Sequence, residues 1–78
     1  MAVSAFVLID VTGDHTKSAH KTITRIDGVK AVYTVSGPYD LIVQVEAETI
    51  EQLSDLILAR IRAVDGITKT MTALVLSV

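Results

Sequence analysis

Two near-copies of one short phrase, Ile26-Asp27-Gly28-Val29 and Val64-Asp65-Gly66-Ile67, stand thirty-eight residues apart in this chain. Each follows an amphipathic helical pattern and precedes a β-branched strand pattern. A chain that must leave a helix and enter a strand often places Gly just past the helix end, because Gly takes the left-handed conformation at little cost. Meeting the arrangement twice predicts a strand–helix–strand unit built two times over. A fold of that kind puts ligand sensing and assembly ahead of catalysis.

At 78 residues the chain is expected to form one domain spanning 1–78. A domain of this size buries only about 60–65% of the surface its unfolded chain exposes, so its stability is marginal unless something helps. The chain has no cysteine, so neither a disulfide nor a thiolate–metal cluster can staple it. Half of the residues are hydrophobic, yet there are only one Phe, two Tyr and no Trp. The core must therefore be packed with Val, Ile, Leu and Ala. So apolar a small chain often hides surface by forming oligomers.

The formal net charge is −2, and Lys and Arg form no run. Binding a phosphate backbone needs a basic face, so direct nucleic-acid binding is not expected. The apolar segment Ala2–Val11 is too short to span a bilayer. It lacks a positive leader and a small-residue cleavage site, so a secretory signal is not expected either. A cytoplasmic protein without membrane contact is the resulting expectation.

Ala2–Val11 reads as a strand that is apolar in both phases, with Val3, Ala5, Val7, Ile9 and Val11 on one side and Phe6 and Leu8 on the other. Thr12-Gly13-Asp14 is a turn that also offers helix-capping side chains. A helix from about Asp14 to Ile26 carries Ala19, Ile23 and Ile26 at helical spacing. Val29–Ser36 returns as a strand, with Val29, Ala31, Tyr33 and Val35 on one face. Gly37-Pro38-Tyr39 punctuates the chain between two strand patterns. Asp40–Ala47 then alternates cleanly, with Leu41, Val43 and Val45 facing one way. Thr49-Ile50-Glu51-Gln52 has the form of a capping box. The helix it opens bears the stripe Ile50, Leu53, Ile57, Ile61 and Val64, widened by Leu56. Gly66 ends that helix, and Ile67–Val78 is the last strand.

The order β-α-β-β-α-β defines a ferredoxin-like α+β fold: a four-stranded antiparallel sheet with both helices on one face. Right-handed crossovers give the spatial strand order 4-1-3-2. The uncovered face shows Phe6 or its neighbours, Ile42 and apolar residues of the last strand. A second copy laid on it face to face closes the two sheets toward a dimeric α+β barrel.

This topology gathers Asp10, Thr12, Asp14, Ser36, Gly37, Tyr39, Asp40, Thr68 and Thr70 at one edge. The opposite edge collects Gly28, Glu48 and Thr49. The first group is richer in carboxylates and hydroxyls and suits a ligand that carries an ammonium and a carboxylate. Asp40 admits two readings. It can anchor a ligand ammonium, or it can serve as a turn carboxylate that binds nearby backbone N–H groups. Tyr39 has the same split. Thr68, Thr70 and Thr72 recur at period two and line one strand face.

No catalytic, metal or cofactor site emerges. His15 and His20 stand five apart on a helix and point about 140° away from each other, so they cannot share an ion. Asp10 and Asp14 lack a pocket that would shift a paired carboxylate. The serines sit in no nucleophile motif, and there is no Gly-rich phosphate loop.

At Ser36-Gly37-Pro38-Tyr39-Asp40, followed by Leu41-Ile42-Val43, the chain resembles the effector-binding domain of the Lrp/AsnC family, also called the RAM domain. The family shows a Gly-x-Tyr/Phe-Asp turn and then an aliphatic strand. It also shows a helix ending in a hydrophobic-x-Gly-Val/Ile phrase before a Thr-rich last strand. Here those parts look like Val64-Asp65-Gly66-Ile67 and Thr68-Lys69-Thr70-Met71-Thr72. The resemblance covers essentially the whole chain. It implies a dimeric α+β barrel, often assembled into a ring of dimers. It also implies amino-acid effectors bound between dimers near the turn. Gly37, Tyr39 and Asp40 match that turn, Thr70 and Thr72 match the last strand, and Ser36 joins by position.

Typical members of the family carry an N-terminal helix-turn-helix domain that binds DNA. Here Met1 leads straight into the first strand, so the stand-alone form is expected. Such a chain would co-assemble with a full-length regulator or modulate an enzyme. Two other functions share the fold. A small dimeric barrel monooxygenase or isomerase needs His, Asn or Trp inside a roomy barrel. An ACT-like amino-acid module centres its site on a Gly-containing loop after the first strand, which Thr12-Gly13-Asp14 imitates. A heavy-metal carrier of the same fold would need a Cys-x-x-Cys pair.

Overall fold

A computed structural model describes residues 2–76. Four strands, β1 (Val3–Val11), β2 (Val29–Thr34), β3 (Leu41–Ala47) and β4 (Ile67–Leu74), form one sheet in the order β2-β3-β1-β4. All three neighbouring pairs are antiparallel. Helix α1 (Thr16–Thr24) follows a short 3-10 turn at Gly13–His15, and α2 (Ile50–Asp55) runs on as a π-helical segment over Leu56–Ile61. The expected β-α-β-β-α-β order and strand arrangement both hold, and the fold is ferredoxin-like α+β.

The core lies between the sheet and the helices. Ala5, Val7 and Ile9 of β1 stand opposite Val45, Val43 and Leu41 of β3, and all six are fully buried. Ala19 and Ile23 of α1 close on them from above, as do Leu53, Leu56, Ile57 and Ile61 from the second helix. Burying each large aliphatic side chain here contributes about 1.5–3 kcal/mol. Both helices therefore cover one face, as the alternation of β1 and β3 requires.

The other face is apolar as well. Tyr33, Ile42, Leu8 and Met71 stand in register across all four strands and form a single row. Tyr33 is 53% exposed and Met71 49%. Phe6, in the neighbouring row, also reaches solvent.

Several local expectations need correction. The register of β2 against β3 shifts between Val29 and Ala31, so Val32 rather than Ala31 or Tyr33 packs on the core. One extra residue in a strand reverses every later side chain. Helix α1 is shorter than Asp14–Ile26, and neither Thr12 nor His15 donates or accepts a side-chain cap bond at its start. Ile50 is 62% exposed and lies outside the stripe that Leu53, Ile57 and Ile61 bury. Strand β4 ends at Leu74; the expected extension to Val78 reaches residues 77–78, which lie outside the described residues. One half of the capping box forms, with the Gln52 N–H donating to Thr49 Oγ1 at 3.1 Å. The Gln52 side chain accepts from the N–H of Glu48, one residue before the cap.

Candidate functional site

The turn between β2 and β3 is held against the end of β1 by Asp40. Its N–H donates to the Ile9 carbonyl at 3.0 Å, and its own carbonyl accepts from Val35 N–H at 3.0 Å. The carboxylate then adds a third bond, with Oδ2 accepting from Val11 N–H at 2.8 Å. The side chain thereby extends the β1–β3 ladder one step past its last main-chain bond. This is the turn-carboxylate reading of Asp40, made to a residue distant in sequence. A carboxylate has two oxygens and about four lone-pair sites, so one such bond leaves acceptor capacity.

Tyr39, half-buried beside Asp40, reaches across to β4, where its hydroxyl donates to Met71 Sδ at 3.4 Å. Ser36 and Gly37 are exposed at the tip. Part of the expected gathering at this edge is present, at Asp10, Thr12, Asp40 and Thr68. Thr68 Oγ1 donates to the Asp10 carbonyl at 3.2 Å, and Thr12 N–H donates to the Gly66 carbonyl at 2.8 Å.

The two threonines are placed differently from the turn. Thr70 stands opposite Ile9 and Thr72 opposite Val7, so both lie on the helix side of the sheet. Met71, which Tyr39 touches, is on the open side. Within one chain the structure brings Tyr39 and Asp40 to β1 and β4, and it does not bring Thr70 and Thr72 to the same side as Tyr39. Thr72 instead borders an apolar groove of about 290 Å³ between α2 and β4, beside Leu58 and Leu74. Thr70 borders a small hollow of about 90 Å³ next to Arg62 and Lys69. In the turn itself Ser36, Gly37 and Pro38 are exposed, while Tyr39 and Asp40 are half-buried.

A larger hollow escaped the reading of the sequence. A cleft of about 570 Å³ runs between α1 and the end of the second helix, with Ser18 and Thr22 on one wall and Arg60 and Asp65 on the other. At one end His15 Nδ1 lies 3.1 Å from Thr12 Oγ1. Sequence spacing hid this place, because the helix stops at Ile61 and Asp65 is set by the turn that follows rather than by helical periodicity. Among the described residues, no group of three or more His, Asp or Glu could hold a metal ion. No helix among them is long and apolar enough to cross a membrane.

The sheet order and the two glycine hand-overs define a ferredoxin-like α+β fold, with the Gly-x-Tyr-Asp turn joining its second and third strands. Residues 4–78 match the model of the Lrp/AsnC ligand binding domain, and the chain belongs to that family. It superposes on the protein TTHA0845 from Thermus thermophilus with a TM-score of 0.92, at 33% identity over 97% of this chain and 95% of that one. A feast or famine regulatory protein from M. tuberculosis complexed with L-methionine superposes at 26% identity with a TM-score of 0.81, over 97% of this chain and 51% of that one. A homocitrate synthase of Sulfolobus acidocaldarius is 42% identical over 62 residues, which is 80% of this chain and 13% of the enzyme. The chain thus spans only a small part of that relative's length.

Proposed function

We propose that this chain is an amino-acid effector-binding module that works as an assembly of copies. The observation that carries this reading is the family match along almost the full length of the chain. The regulator that holds L-methionine supports the ligand class. The ligand would sit at the turn Ser36–Asp40, between subunits, with its ammonium on the unused oxygen of Asp40. A carboxylate that keeps Val11 N–H as one partner is already fixed in place for that task. Backbone N–H groups and threonine hydroxyls would receive the ligand carboxylate. Because Thr70 and Thr72 face away from Tyr39 within one chain, their contribution would come from a neighbouring copy. The row Tyr33–Ile42–Leu8–Met71, exposed at its two ends and half-buried at Ile42 and Leu8, supports face-to-face pairing into a dimeric barrel, and the family resemblance extends this to a ring of dimers.

Two partners for such a module follow from different observations. Family membership points to a full-length Lrp/AsnC regulator. The likeness to a segment of a homocitrate synthase points to a biosynthetic enzyme whose activity the bound amino acid modulates. We read residues 1–78 as one domain in either case.

A thermal-shift screen of the twenty amino acids tests the ligand, and light scattering after size exclusion tests the assembly. A ligand present at a hundred times its dissociation constant stabilises the native state by about 2.7 kcal/mol. One or a few amino acids should raise Tm, on a species of dimer size or larger. A clean monomer at micromolar concentration would contradict the assembly, and a flat screen would contradict the sensor.

A further inference from the structure

The geometry points to a second ligand site, in the cleft between α1 and the end of the second helix, shaped for a small zwitterion. This goes beyond the turn site and uses none of its residues. The cleft, at about 570 Å³, is the size of pockets that hold small molecules, which run from about 300 to 1,000 Å³. Its floor is apolar, with Ala19 and Val64; Arg60 and Asp65 line one wall, and His15, bonded to Thr12, stands at the Asp65 end.

The two charged groups come from the end of the second helix and from the turn after it. Arg60 stands in the last turn of the helix, while Asp65 lies beyond it in the turn that leads to Gly66. Here Leu56–Ile61 is π-helical, and Arg62 N–H donates to the Ile57 carbonyl at 3.0 Å rather than one residue nearer. With this bonding and the turn that follows, both Arg60 and Asp65 line the cleft. Single π turns inside helices are uncommon and occur often at functional sites.

The facing wall is matched to this pair. Helices α1 and α2 run antiparallel, because they follow antiparallel strands β1 and β3. Ser18 therefore stands toward the Asp65 end and Thr22, one turn further on, toward Arg60. Ser18 donates its hydroxyl proton to the His15 carbonyl at 3.1 Å, which leaves its oxygen lone pairs as acceptors. One end then offers acceptors, Asp65 and Ser18 Oγ, to an ammonium. The other offers donors, the Arg60 guanidinium and the Thr22 hydroxyl, to a carboxylate, and a guanidinium takes a carboxylate in a two-pronged grip. The cleft lies on the helix layer, so pairing of two copies through the open sheet face leaves it accessible.

Amide NMR of the assembled protein, titrated with each of the twenty amino acids at millimolar concentration, tests the site. At least one amino acid should shift Ser18, Thr22 and residues 60–65 along one isotherm. Arg60→Gln and Asp65→Asn should each weaken that isotherm roughly tenfold or more, as expected for a lost charged hydrogen bond. Both side chains are exposed, so the variants should fold. Asp40→Asn should leave the cleft isotherm unchanged. Shifts confined to residues 36–40 would overturn the cleft site and sustain the turn site. Shifts confined to the cleft would do the reverse. Titrations that move neither region, or cleft shifts that both charge-removing variants leave intact, would also overturn the cleft site.

Discussion

At Gly28 and at Gly66 the backbone runs the same course. The φ angles are 95° and 92°. Val29 N–H donates back to Ile26 at 3.1 Å, and Ile67 N–H to Val64 at 3.3 Å. Each glycine carbonyl then accepts a bond at 2.8 Å from another element, from Glu46 N–H in the first case and Thr12 N–H in the second. What differs is the neighbour. A Cβ on Gly28 would lie 2.9 Å from a terminal methyl of Leu56 and 3.1 Å from the Glu46 carbonyl. A Cβ on Gly66 would collide with the Cβ and ring of His15. A repeated local phrase therefore carries the turn, while its contacts tie the first copy to the second helix and the second copy to the start of the first.

That contrast can be broken by substitution. Gly66→Ala should cost the most, about 2 kcal/mol or more: a left-handed Cβ is penalised by about 1–2 kcal/mol, and the His15 Cβ it meets is fixed to the backbone. In a domain this small each kcal/mol lowers Tm by roughly 4–8 °C. Gly28→Ala should cost less, about 1–2 kcal/mol, because the Leu56 methyl is the far end of a flexible side chain and the Glu46 carbonyl is only slightly too close. Urea denaturation of both variants decides the order. A double-mutant cycle sharpens it: His15→Gly should reduce the cost of Gly66→Ala and leave that of Gly28→Ala unchanged. If Gly28→Ala proves the more harmful, the difference in neighbours is not what matters.

The helix starts differ in the same spirit. Thr49 caps the second helix through its side chain, and Thr12 makes no such bond ahead of the first. Thr49→Ala should therefore cost about 1 kcal/mol. Thr12→Ala should cost less, within about 0.5 kcal/mol, the usual range for a surface change. Equal losses would mean that the Thr12–His15 contact does the work of a cap.

What could be read from the sequence was whatever rests on local chemistry. The two glycines mark left-handed turns wherever they occur, and the alternation of β1 and β3 assigns their faces directly. The Thr49–Gln52 cap needs only four residues. What could not be read depends on register or on a departure from ideal geometry. The shift at Val29–Ala31 exchanged the roles of Val32 and Tyr33, and no residue type there announces it. The helix ends at Ile61, earlier than the sequence suggests, and the turn that follows sets Asp65 beside the same cleft as Arg60. The period of Thr70 and Thr72 was visible, but which side of the sheet they take is set by pairing with Ile9 and Val7. At the turn, the sequence identified Asp40 and the edge it joins. Its bond to Val11, twenty-nine positions away, appears only once β1 and β3 are paired.

The central claim is that Asp40 of the turn is the ammonium partner of an amino-acid effector. Calorimetry with the best ligand from the screen, on the wild type and on Asp40→Asn, tests it most directly. Loss of a charge-assisted bond worth roughly 1.5–3 kcal/mol should weaken binding about tenfold to a hundredfold. The variant should stay folded, since an amide oxygen can still accept from Val11 N–H. Equal affinities for the two proteins would contradict the claim.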